Sequence, residues 1–599
     1  HYLFLTTSLI LLGNCTKDTL PGTDTTTPPS LETDTGAEAF EGWIRVKFKS
    51  GNDEIAPVVT KSGALSTGLA SVDNAALALG ARQMKRVFPP AGRFEERTRK
   101  EGLHLWYDPY FDESIPVSKA VSDFRQLPEV AVAEPIYKAS LIHPSAPVEV
   151  SETTTISRAS QNAPYNDPLL SNQWHYDNDG TLPDALAGAD INLFRAWEIT
   201  QGSPEVIVAV VDGGVDYAHE DLQGNVVNPA ELNGQPGIDD DGNGYIDDVY
   251  GWNFYSGSNQ VYTGSEDSHG THGAGTIAAH ADNGIGIAGI VRSDHVKVMA
   301  VKALGGWDGS GSTASIIRAI QYAEANGARI CNLSLGSSRN DPALYRTIAA
   351  SDMLFVVAAG NDGADLELAP SYPASYHLDN LITVANLRYD GNLDPTSSYG
   401  ASSVDLAAPG THILSTTPGN SYSYMTGTSM AAPMVSAAAA MLCSQFPDAT
   451  LADVKDILLS SVQKLDSLTG LTATGGMLDL GAAMASGAAA QKGRTWTEPD
   501  LAAYTDSPPI LSLSLFQWRG QQYLTVQVQD PDGDFRSAAY AAGTYTAANF
   551  QGGAAGTPLP LNAWGAATLL VRNGGPYTFY AVDLAGNETV RTVDLPQSP

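Results

Sequence analysis

Cysteine, basic charge and long apolar runs are all scarce in this chain. Its three cysteines, Cys15, Cys331 and Cys443, stand far apart, which excludes a disulfide framework. Lys and Arg number 33 against 66 Asp and Glu, giving a formal net charge of −33. Phosphate recognition needs a Lys/Arg footprint, so this balance argues against nucleic acid as a partner. No run of about 20 apolar residues occurs, so no segment reads as a helix crossing a bilayer. Charged residues reach only 17%, below the roughly 25% usual for soluble domains. The 58 glycines, with abundant Ala and Ser, point instead to tight turns and closely packed backbone. At roughly 100–200 residues per domain, the length predicts three to five domains and a large core.

The first apolar run, Tyr2 to Gly13, is too short to span a membrane and fits the core of a secretory signal. The chain begins at His1 without Met or a basic leader, so its true start is expected upstream. Cys15 directly after the run resembles the lipidated cysteine of a bacterial lipoprotein, although Asn14 departs from the small residue usual before it. The alternatives are an exported protein lipid-anchored at the cell envelope or one that is simply secreted. Thr16 to Ala39 is rich in Thr, Pro and Asp and reads as a flexible tether.

Composition and patterning divide the chain into seven stretches, 1–15, 16–39, 40–140, 141–165, 166–490, 491–509 and 510–599. In the third, EGWIRVKFK alternates as a strand, VSKAVSDFRQL is an amphipathic helix before Pro128, and EVAVAEPIY is a closing strand. In the fifth, VIVAVVD, VKVMAVKAL, ARICNLSLG, MLFVVAAGN and LITVAN are continuous apolar runs of the kind covered on both faces. Helical stretches such as TASIIRAIQYAEANG lie between them, so a parallel α/β sheet is expected. The last stretch holds alternating strands between Gly, Pro and Asp turns, predicting a small β-sandwich of immunoglobulin-like type.

Three segments carry chemistry. VAVVDGG delivers Asp212 at the carboxyl end of a buried strand, where open α/β sheets build their sites. In DSHGTHGAG, His269 starts a small-residue helix, and in GTSMAAPMV, Ser429 lies at the start of an Ala-rich helix. Pro433 is expected in the first turn of that helix, where proline is tolerated. Taken singly, each residue also fits a bland role as a strand-end cap, a surface histidine or a helix cap.

Together, in this order and with FVVAAGND, these segments resemble the subtilisin-like serine proteases. The resemblance implies a parallel-sheet catalytic domain in which Ser429 is the nucleophile, His269 the base and Asp212 the residue orienting the imidazole. It implies that Asn361 and the Ser429 backbone N–H form the oxyanion hole. His272 is expected to be structural. The segments Gly309-Ser310-Gly311 and Ser334-Leu335-Gly336 would flank an extended peptide by strand addition. Asp362 is either the rim of the pocket before the cut or a solvated charge.

Two loops are read as calcium sites. Asp239, Asp241, Asn243 and Asp247 place oxygens around the Gly244 turn, as in an EF-hand loop, with Asp248 following. Tyr250 stands where that motif carries its bidentate Glu, and a solvated acidic turn is the alternative. By resemblance to the strong calcium loop of the family, Asn283 and the carbonyls of Ile285 and Ile287 would join Asp221 and Asp167 around Ca²⁺. The 40–140 stretch resembles the family's propeptides, so the chain's own propeptide is expected as an intramolecular inhibitor, with processing between Ile142 and Asn166; a permanent N-terminal module is the alternative. Cys331 and Cys443 read as core thiols, paired or free. The function expected is a serine endopeptidase acting on proteins and peptides. The rival is a catalytically silent scaffold serving as an adhesin or binding protein.

Overall fold

The computed structural model describes residues 39–149, 164–487 and 509–595, apart from short breaks within each. Cys15 and the 1–38 readings lie outside the described residues, as does nearly all of 491–508. Among the described residues, no helix is long and apolar enough to cross a membrane.

The central feature is a nine-stranded sheet. Its middle is parallel, with Val296–Lys302, Val206–Asp212, Ile330–Leu333, Leu354–Ala358, Leu381–Leu387 and Leu406–Pro409 in spatial order. Gly251–Asn253 closes one edge, and a short antiparallel pair, Gln463–Lys464 with Gly476–Met477, closes the other. The continuous apolar runs are explained by layers on both faces. One face packs against the helices Ser268–Ala278 and Thr428–Gln445, the other against Thr313–Ala325 and Pro342–Ala349. All residues from Thr428 to Ser444 are buried, so this helix needs no polar stripe and its Ala-rich, all-round apolar sequence follows.

A second sheet is formed largely by residues 39–141. Ala39–Phe48 lies between Trp106–Tyr110 and Val130–Leu141, all antiparallel, with Gln83–Arg86 beyond. Helices Ala70–Ala78 and Val117–Arg125 cover one face through Val72, Ala76, Val121 and Phe124, packed on Ile44, Val46 and Phe48. Val130–Leu141 also pairs with Ser310–Ser312 and with Leu335–Gly336, so this sheet continues into the α/β domain.

Residues 510–595 form a three-stranded and a four-stranded antiparallel sheet that share one apolar cluster, including Leu511, Leu524, Val526, Phe579 and Ala581. Cys331 and Cys443 are both free and buried, so the paired alternative is corrected. Burial in apolar surroundings pushes both thiols up, Cys443 to about 11.

Pro433 is the sixth residue of its helix, not in the first turn as expected. Lacking an N–H, it leaves the Ser429 carbonyl without its normal intrahelical donor. Ser334 Oγ donates to that carbonyl at 3.2 Å instead. The helix break is thereby satisfied from the residue that links the strands Ile330–Leu333 and Leu335–Gly336.

Candidate active site

Asp212 ends its strand at the carboxyl edge of the sheet, and both its oxygens lie 2.9 Å from His269 Nδ1. The approach depends on Gly270, since a Cβ there would lie 2.2 Å from the Gly214 carbonyl and 3.1 Å from Asp212 Oδ1. His269 Nε2 is buried and has no hydrogen-bond partner. Burial pushes the imidazole down, but the Asp212 charge and hydrogen bond, with the Ile142 carbonyl, outweigh it and hold it above its ordinary value.

Ser429 is the second residue of its helix. Its Oγ donates to the Ile142 carbonyl at 2.7 Å, the same carbonyl that faces His269. Asn361 follows the strand Leu354–Ala358 and is held by its Oδ1, which accepts from Thr428 N at 2.9 Å and Thr428 Oγ1 at 3.0 Å. Its Nδ2 is thereby turned outward and donates to the His143 carbonyl at 2.9 Å. Asp362 is exposed. His272 is fully buried and bonds the Ile413 carbonyl, away from the site.

All six predicted cleft residues lie along the strand Val130–Leu141. Gly311 pairs with Ala139, Ser310 with Ser140, Leu335 with Leu141, and Gly336 with Ser140. Leu141 N donates to the Gly309 carbonyl at 3.0 Å, and Ile142 N to the Ser334 carbonyl at 3.2 Å.

Sequence reasoning passed over Lys302 and Asp267. Both are buried, and Lys302 Nζ meets Asp267 Oδ1 at 2.5 Å and also bonds the Gly213 carbonyl. This pair ties the loop after Asp212 to the turn before His269, so it positions both. The strand Val296–Lys302 also carries Lys297, and a lysine at a strand end is no signal by itself.

Asp167, Asp221 and Asn283 come together. Asn283 Nδ2 donates to Asp221 at 2.8 Å, and Asp167 accepts from Asp282 N and Asn283 N. Ile287 presents its N–H, not its carbonyl, to Asp221, and Ile285 N bonds Asn283 Oδ1. Burial pushes Asp221 up to about 6, with Asp167 adding to it. Asp167 and Asp221 are oxygen ligands of the kind a divalent cation takes, and their oxygens here accept from the N–H groups of Asp282, Asn283 and Ile287. Among the described residues, no group of three or more His, Cys, Asp or Glu is arranged around a metal position. The 239–248 loop is knit by its own backbone. Asp239 and Asp241 accept from Asn243 N, Asp239 also from Gly244 N, while Asp247 turns to Gly237 N. Asp248, rather than Asp247, is the buried acid that Asn243 Nδ2 reaches.

The sequence profile of the subtilase family matches residues 203–477, and that of the N-terminal region of the subtilase family matches residues 45–180. Thermitase of Thermoactinomyces vulgaris is 37% identical over 254 residues, 42% of this chain and 79% of thermitase. The chain belongs to the subtilase family. Subtilisin-like protease 1 of Plasmodium vivax is 37% identical to this subtilase over 347 residues, 54% of the chain and 52% of the relative. The thermophilic serine proteinase of a Bacillus strain is 38% identical over 253 residues, 42% of the chain and 55% of the relative. This subtilase thus spans about half the length of the curated relatives it matches first.

Proposed function

We propose that this subtilase is a serine endopeptidase that hydrolyses peptide bonds in proteins. The observation that carries the reading is that Asp212 is bonded to His269 Nδ1 while Ser429 Oγ donates to the Ile142 carbonyl, which also acts on the His269 ring. Ser429 Oγ is a weak nucleophile until a base takes its proton. His269 is that base, and it later protonates the leaving amine. Asp212, bonded to Nδ1, holds the tautomer that leaves Nε2 free to accept and stabilises the imidazolium. Asn361 Nδ2, aimed by Thr428, supplies one oxyanion donor and the Ser429 N–H the other.

Residues 40–140 are read as a propeptide whose last strand lies in the cleft, and residues 510–599 as an immunoglobulin-like β-sandwich. Ca²⁺ would be held by Asp167, Asp221 and Asn283, bracing the 166–172 segment against the loop after the His269 helix. It stabilises the fold and takes no part in bond cleavage. Export, with lipidation at Cys15, completes the reading. The test is labelling with a serine-directed fluorophosphonate. Labelling of the wild type, lost in Ser429→Ala together with hydrolysis of a protein substrate, supports it. A processed wild type that neither labels nor hydrolyses supports the silent scaffold instead.

A further inference from the structure

We propose that Ser429 cuts its own chain between Ile142 and His143. The cleft so released selects substrates with an aliphatic residue before the cut, Leu one residue earlier and a small residue two positions before that Leu. The inference rests on the reading of Ser429 as nucleophile.

The backbone is pinned on both sides of this bond. Upstream, Lys138–Leu141 is a strand held between two cleft edges, and Ile142 N is anchored on the Ser334 carbonyl. Downstream, Ser145 N donates to the Thr426 carbonyl at 2.8 Å, and Val148–Glu149 adds to the strand Ser421–Met425. Only His143 and Pro144 lie between these anchors, beside Ser429, whose Oγ reaches the Ile142 carbonyl.

Side-chain alternation sets the register. Ala139 and Leu141 are buried, Ser140 is exposed, Ile142 is half-buried and His143 is exposed. Glycines make the pocket for Leu141. A Cβ on Gly213 would stand 3.2 Å from Leu141 Cδ1, and one on Gly309 would stand 2.9 Å from it. A Cβ on Gly336 would stand 3.6 Å from Ile142 Cδ1, an ordinary contact, so Gly336 borders the Ile142 side chain without being needed to admit it. Ala139 lies in the apolar cluster with Leu304 and Leu335, which leaves it little space for a longer side chain.

Two carbonyls compete for the site, and they choose different bonds. Ser429 Oγ contacts the Ile142 carbonyl, while Asn361 Nδ2 holds that of His143. Attack requires the Ile142 carbonyl to turn, so that its carbon faces Oγ and its oxygen takes the Asn361 amide. The Oγ–C bond to Ile142 then forms as the C–N bond to His143 breaks. The Ser429 proton passes through His269 Nε2 to the His143 amine. Water next adds to the ester by the same route and releases the Ile142 carboxylate. The competing bond, His143–Pro144, has no Oγ contact.

The full-length chain tests this by N-terminal sequencing and mass spectrometry of its products, beside Ser429→Ala. The expected result is a wild-type fragment beginning at His143 and an intact Ser429→Ala chain. A Ser429-dependent N-terminus at Pro144 or later, or an uncut wild type that still labels with a fluorophosphonate, overturns the inference and leaves the endopeptidase reading standing. An uncut wild type that does not label overturns both. The pockets are tested with the quenched peptide Ala-Ser-Leu-Ile-His-Pro-Ser and its analogue with Ala for Leu. Gly213→Ala is expected to lower kcat/KM for the Leu peptide relative to the Ala peptide by about tenfold. An unchanged ratio overturns the pocket assignment.

Discussion

Asp212 meets one side chain of the proposed triad, through His269 Nδ1, yet that contact decides which imidazole nitrogen carries the proton. Replacing it by Asn keeps the shape and allows Nδ1 to be held as the acceptor, so Nε2 carries the proton and cannot take one from Ser429. Asp212→Asn is expected to fold with an unchanged melting temperature and lose about 10⁴ in turnover; near-normal kinetics would remove Asp212 from the mechanism. Asn361→Ala removes one oxyanion donor and is expected to cost about 10²–10³ in kcat. Titration of His269 adds a pH dependence. As the proposed base, His269 works only when neutral, and its proton affinity is raised by Asp212. Activity is therefore present above the His269 pKa and lost as pH falls through it. A pH–rate profile of kcat/KM without an acidic limb would contradict this.

The helix Ser268–Ala278 brings His269 to Asp212 only because small residues line its inner side. A Cβ on Gly275 would lie 2.1 Å from Thr416 Oγ1 and 2.6 Å from Ser415 Oγ. Both hydroxyls are already engaged, with the Thr271 and His272 carbonyls of the same helix. Gly275→Ala is expected to destabilise the protein by about 1–3 kcal/mol through overpacking, read by denaturant titration. Gly270→Ala presses on the Gly214 backbone itself, so the helix must move away from Asp212. A displacement near 1 Å is expected to cost about 10² in kcat. Normal activity in that variant would show that the helix is not held at this distance. The GTHGAGT pattern was legible as a helix of small residues, but which glycine faced which neighbour was not. That depends on the hairpin at 413–425, more than 130 residues away.

At the scale of the whole molecule, the N-terminal sheet and the α/β domain share a buried charge cluster. Arg45 bonds Asp108 at 3.1 Å and Asp341, the N-cap of the helix Pro342–Ala349, at 2.9 Å. Glu134 is buried beside them with both oxygens lacking hydrogen-bond partners. Burial, then the Asp341 charge, push it up to about 8, despite the opposing pull of Arg45 and Arg125. The folded chain thus keeps a proton that the unfolded chain releases near its ordinary value of 4.5. This contribution to stability is complete below that value and is lost as pH rises towards about 8. In the Ser429→Ala chain, Glu134→Gln is expected to flatten the fall in melting temperature between pH 5 and 8. Equal slopes would remove Glu134 from the cluster. The proposed Ca²⁺ would act at the same scale. An ion bound only by the folded state adds about 2.7 kcal/mol at a hundredfold excess over Kd. EDTA is expected to shorten the half-life of processed enzyme at elevated temperature without changing its initial rate. Equal half-lives would count against the Asp167/Asp221/Asn283 site.

Local order along the chain was enough to determine the parallel α/β sheet, because strands covered on both faces must be continuously apolar and VIVAVVD or LFVVA can be little else. Asp212, His269, Ser429 and Asn361 stood out through their resemblance to the subtilisin-like motifs, and the fold brings Asp212 to His269 and sets Ser429 and Asn361 on the successive carbonyls of Ile142 and His143. Lys302 was not legible: a lysine at a strand end is ordinarily solvated, and only the fold buries it against Asp267 and the Gly213 carbonyl. Nor was Pro433, whose cost depends on whether Ser334, 95 residues earlier, can reach the freed carbonyl. The chain's course through its own cleft was likewise decided by tertiary structure. Antiparallel pairing of Lys138–Leu141 with segments around residues 310 and 335 is a long-range match of hydrogen-bonding edges. Its register is set by a pocket for Leu141 that exists only once Gly213 and Gly309 are brought together.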